Sequence, residues 1–214
     1  MTRGRRDAAA ERGRLLAVRD GSAVRWPGAT ARFALFGEVL WVGVLCCVAA
    51  LGIITLPASL AAGSAHLHRF LRAEDSTVRQ FLADFSAALR TGWQAGIGVL
   101  VAAALLLLDI VVAGSGLLPG GPLVLGAGIL LLVGLLCGLT GTTARWYATR
   151  SWRAAARHWL SDARQDPAGI LWLAAAVVLT AVVTWQLPPL IVPGVGCLVF
   201  AALATSVRER RRRS

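Results

Sequence analysis

The chain has 214 residues, 57% of them hydrophobic, with a mean hydropathy of +0.66, a composition that excludes both a soluble domain of this size and a disordered polymer. Its net charge of +11 rests on 22 basic residues, all arginine, against 11 acidic ones. With no nucleic-acid-binding motif around the arginine runs, they read as topology determinants touching an anionic inner leaflet, and a nucleic-acid partner is excluded.

In chain order, residues 1–32 form a basic segment that is expected to be retained and cytoplasmic, because the apolar run that follows is too long for a signal-peptide core. From Phe33 to His68 the one formal charge is Glu38, and a single helix over that stretch would reach about 54 Å, well past a bilayer core. Two helices fit better, at 33–55 and 57–72, with Pro57 in the first turn of the second, where no backbone N–H is needed. The arginines support the reversal. They fall as eight in 1–32, four in 61–91, five in 145–166 and five in 207–214, so a span at 57–72 places all 22 on the cytoplasmic side. That helix is short, about 24 Å, and rich in Ala, Gly and Ser, which suits helix packing; a re-entrant loop is the competing picture.

An amphipathic segment follows, with Ser76 as its expected N-cap and Val78, Phe81, Leu82, Phe85 and Leu89 at helical spacing. The next apolar runs are 92–113, 122–144, 168–185 and 188–206. A second amphipathic stretch, RWYATRSWRAAARHWLSDARQD, lies between two of them. Its stripe is Ala148, Trp152, Ala155, Trp159 and Leu160, opposite Arg150, Arg153 and Arg157. LAD at 82–84 echoes LSD at 160–162, a faint internal repeat. The basic tail is 207–214. The fold expected is therefore an all-α polytopic bundle of about six transmembrane helices with two amphipathic cytoplasmic helices, both termini cytoplasmic, in a bacterial plasma membrane.

The stretch GIITLPASLAAGSAHLHRFLRAEDSTVRQFLADFSAALRTGW resembles the core of the YesL-like bacterial membrane proteins at Pro57, Ala58, Ser59, Arg69, Leu71, Arg72, Glu74, Asp75, Phe81 and Phe85. Ala73 departs from the usual Gly, and His66 and His68 replace aliphatic or aromatic residues. The family has no established activity, so the resemblance implies a fold type and a loose link to carbohydrate uptake, with a sugar-transport permease as a candidate partner.

No hydrolase, zincin or nucleotide-binding motif is present in the sequence, and no catalytic residue, metal or cofactor is expected. Cys46, Cys47, Cys137 and Cys197 lie inside apolar runs as filler. His66 and His68, two apart on a helix, point about 200° apart and cannot share a metal. The glycine spacings at 92/96 and 134/138 allow a homo-oligomer as well as internal packing. Glu38 is expected to pair with Arg72 at the inner interface, and Asp109 to lie near the outer surface. The candidate polar residues are thus Glu38, His66, His68, Arg69, Arg72, Glu74, Asp75 and Asp109, and the candidate interaction surface is Phe81, Phe85, Trp152 and Trp159. The leading function is a non-enzymatic accessory or regulatory membrane protein. The alternative, a small transporter, requires Glu38, Asp109 or the histidines to converge on a polar cavity.

Overall fold

The computed structural model describes residues 29–72, 74, 76–116 and 120–213, and the described chain is all-α. Among the described residues seven α-helices follow one another: α1 Ala29–Ala49, α2 Leu56–Leu71, α3 Val78–Gly114, α4 Gly121–Thr149, α5 Trp152–Gln165, α6 Pro167–Gln186 and α7 Ile191–Arg213. Five of them (α1, α3, α4, α6 and α7) are long and apolar enough to cross a membrane, and α2 is not one of these. The chain divides into a unit of residues 1–37, whose described part is the opening of α1, and a unit of residues 38–214.

The chain does reverse before Pro57. A 3-10 turn at Ala50–Gly52 ends in Ile53, held at φ 54°, and Thr55 donates its hydroxyl to the Ala49 carbonyl at 2.6 Å. Beyond the turn α2 runs antiparallel to α1, with the Cys46 thiol donating to the Ser59 carbonyl at 3.3 Å. Every residue of α2 from Pro57 to Leu67 is buried, enclosed by α1, α3, α4 and α7. The small side chains expected to suit helix packing here serve that purpose: Gly63 lies directly against Cys46 and Val42.

The boundaries of the next helices depart from expectation. The amphipathic segment and the span at 92–113 are one helix of 37 residues, about 56 Å long. Nothing between Leu89 and Trp93 interrupts the backbone ladder, since an interior glycine costs only about 1 kcal/mol. Its N-cap is Thr77 rather than Ser76. Thr77 Oγ1 accepts from the Gln80 amide at 3.3 Å, and Gln80 Oε1 accepts from the Thr77 amide at 3.2 Å, closing a capping box. Likewise α4 continues past Ala144 to Thr149, which places Ala148 in α4 and outside the second amphipathic helix. Arg150, at φ 51°, ends α4 with its amide donating to the Trp146 carbonyl at 2.7 Å, and α5 starts two residues later.

Pro167 opens α6 in its first turn, preceded by Asp166, and the LPPL stretch separates α6 from α7. The basic tail begins as a continuation of α7, helical as far as Arg213. Two glycines allow α1 and α7 to meet backbone to backbone: a Cβ at Gly43 would collide with the Val192 carbonyl, and one at Gly196 with the Val39 carbonyl. Cys137 and Ala144 of α4, Leu173 and Val177 of α6, and Ala202 of α7 form a common apolar core.

Candidate functional site

Glu38 meets a histidine, and the expected pairing with Arg72 is not formed. Its Oε1 lies 2.7 Å from Nε2 of His66, whose ring is buried and stands edge-on to Phe81 at 6.3 Å. The register explains the correction. Reversal at Leu56 would bring Glu38 opposite Arg72, but the turn itself consumes residues 50–55, and the Cys46 to Ser59 contact centres the hairpin earlier. Glu38 then falls opposite His66 and Leu67, with Arg72 about 7.5 Å further on. Arg72 instead has a loose contact with Glu74 at 3.9 Å, both side chains about half exposed. Asp75 lies outside the described residues. His68 faces away from the Glu38 pair and packs on Tyr147, ring centres 5.4 Å apart.

A second polar cluster gathers around Asp84, which the sequence pattern alone did not single out. Arg69, near the end of α2, donates to its Oδ2, and Arg150, in the turn after α4, donates to its Oδ1 at 2.7 Å. Asp84 is buried, so both carboxylate oxygens have cationic partners where an unpaired charge would be costly. The guanidinium groups of Arg69 and Arg150 also lie over the Tyr147 ring, at 5.2 and 5.0 Å from its centre, and Arg150 lies over Trp146 at 5.1 Å. One helix pair later, Arg145 repeats the device: Nε donates to Asp162 at 2.9 Å and Nη1 to the Gly141 carbonyl at 3.0 Å. These two aspartates end the LAD and LSD echoes. Each amphipathic segment is therefore held to the end of a preceding helix by an arginine–aspartate pair, and the echo was the signal that could have located them.

The four residues expected to offer an interaction surface turn inward. Phe81 is buried and Phe85 is partly buried. Trp152 donates its indole N–H to the Ala88 carbonyl at 3.2 Å and lies on Gly92, while Trp159 lies 3.6 Å from the Cβ position of Gly138 and closes over Gly141. The small residues at 92 and 138 thus seat the tryptophans of α5 within the same chain. The outward side of α5 carries Arg153, Arg157 and Arg164.

Between the ends of α2, α4, α5 and α7 lies a cavity of about 630 Å³, lined by His68, Arg72, Arg145, Tyr147, His158 and Asp162, with Ser206 from α7. Asp109 is remote from it. It is exposed on α3, 28 residues beyond Phe81, or about 42 Å along the helix. Among the described residues no group of three His, Cys, Asp or Glu side chains is placed to hold a metal ion. No family model, no curated protein and no solved structure matches this chain.

Proposed function

We propose that this is a multi-pass membrane protein of the YesL-like type that acts as an accessory or regulatory component in carbohydrate uptake by binding another membrane protein, and moves no solute alone. One observation carries the reading: the two carboxylates of the apolar segments, Glu38 and Asp109, are far apart, and neither lines the cavity that His68 and Arg72 enter. His66 packs against Phe81, and Asp109 stands about 42 Å away on the same helix, so Glu38, His66 and Asp109 do not share a site. Coupled transport needs ion and substrate ligands to meet near mid-bilayer.

In this reading five apolar helices cross the bilayer and α2 is a sixth embedded helix, sheathed by protein, which allows Ser59, Ser64 and His66 to sit within it. The reading is supported by the grouping of chain ends: the cavity collects α2, α4, α5 and α7 at one side, the side of the arginine-rich connections. By the positive-inside rule that side is cytoplasmic. With Trp152 and Trp159 turned inward, the partner surface is the outward arginine face of α5.

Single cysteines at Ser76 and Ser115, in a chain lacking the native four, should be labelled from the cytoplasm and from outside respectively; labelling of both from one side would end the topology. Purification in mild detergent should recover a second membrane protein, and Arg153→Glu with Arg157→Glu should weaken its retention. Uphill accumulation of a solute by the protein alone in liposomes would replace this reading with the transporter, whose supporting feature is the part-buried Glu38–His66 pair.

A further inference from the structure

We propose that the cavity between α2, α4, α5 and α7 binds a phosphate-bearing anion. The inference stands whether or not the protein has a membrane partner. The cavity, about 630 Å³, is large enough for a headgroup or a small phosphorylated molecule. Donors enter it from two sides: the imidazole of His68 and the guanidinium of Arg72 at the end of α2, and the imidazole of His158 from α5, while Ser206 of α7, whose hydroxyl donates to the Leu203 carbonyl at 2.7 Å, borders the space. Donors converging from two sides suit the many oxygens of a tetrahedral anion better than a flat carboxylate.

The charge count favours an anion. Arg145 and Asp162 neutralise each other at 2.9 Å, and Arg69 with Arg150 outweighs Asp84 by one behind Tyr147. Among the described residues the carboxylate contact of Arg72 is Glu74 at 3.9 Å, loose and half exposed, which an entering anion can displace. The C-terminal ends of α2 and α4 oppose this with about half a negative charge each. With Glu74 displaced, Arg72 and the excess arginine at Asp84 outweigh these two half charges.

The two sources of such an anion, a phospholipid headgroup and a soluble phosphorylated solute, are separated by experiment. Full-length protein in phosphatidylcholine nanodiscs is titrated with inorganic phosphate, read by shift of the unfolding temperature. In a second arm, phosphatidylglycerol is added to the discs and its retention is read by native mass spectrometry. Saturable binding in the first arm identifies a soluble ligand, and selective retention in the second a lipid headgroup; either supports the site. Arg72→Gln with His158→Gln should weaken the positive arm about tenfold or more, since charge-assisted bonds are lost. Both residues are exposed, and Arg72→Gln alone should move binding in the same direction if the double variant is poorly folded. Arg153→Gln, on the outward side of α5, should leave binding unchanged. The proposal is overturned if neither probe binds saturably, or if Arg153→Gln weakens binding as much as the cavity variants.

Discussion

The two ends of α3 belong to the same helix and live in different surroundings. From Phe81 through Asp84, Ala88, Gly92 and Gly96, one face is buried at steps of three or four residues; beyond Gly96 the next buried residue is Ala113. The first part is held by specific pairs, Arg69 and Arg150 on Asp84 and Trp152 on Ala88. The second part exposes Leu105, Leu107, Leu108 and Val111, an apolar surface suited to lipid. One end thus depends on ion pairs and an indole hydrogen bond, and the other on an apolar surface with close packing of Ile110 and Ala113 on Gly128 and Gly121 of α4.

The difference can be broken most forcefully at Asp84. Asp84→Asn leaves two arginines without their carboxylate, one of them largely buried, and should lower stability by about 3–5 kcal/mol. Unfolding in mixed micelles would measure it, and a cost under about 1 kcal/mol would show that the cluster is only a surface contact. Next in size is Gly141→Ala, whose Cβ would overlap the Trp159 ring and should cost about 1–3 kcal/mol. Adding Trp159→Ala should recover part of that loss, read by unfolding and tryptophan fluorescence; simple additivity would mean that α5 is not seated there.

A smaller effect is expected at the Glu38–His66 pair. Glu38→Gln and His66→Gln should be coupled by about 1 kcal/mol in a double-mutant cycle, while Glu38→Gln and Arg72→Gln should add within about 0.5 kcal/mol. Coupling to Arg72 instead would restore the register with reversal at Leu56. The smallest effect sharpens the contrast from the other end. Asp109→Asn, exposed and far from the ion pairs, should change stability by less than about 0.5 kcal/mol in the same unfolding assay.

The apolar helices and the reversal before Pro57 were legible because they rest on local signals: run length, proline and the distribution of arginine. The partner of Glu38 was not, because pairing across a hairpin depends on how many residues the turn consumes, and the sequence does not display that Thr55 and Ile53 belong to the turn. Trp152 and Trp159 illustrate a second limit. Their helical spacing marks a stripe, yet the stripe alone does not say whether lipid, a partner or Gly92 and Gly141 lies beneath it. Asp84 and Asp162 were visible as an echo, but their arginine partners come from other helices, 15 and 17 residues away for Arg69 and Arg145 and 66 for Arg150. Only the packing brings those charges together.

The unbroken hydrogen-bonded course of α3 also gives the molecule a lever. With no joint between Asp84 and Asp109, tilt at one end is motion at the other: pivoting by about 5° at Asp84 would swing Asp109 by about 3 Å. Such a swing would press Ile110 and Ala113 against Gly128 and Gly121 of α4, so the grip of Arg69 and Arg150 at one end and those two glycines at the other together fix the tilt of the helix.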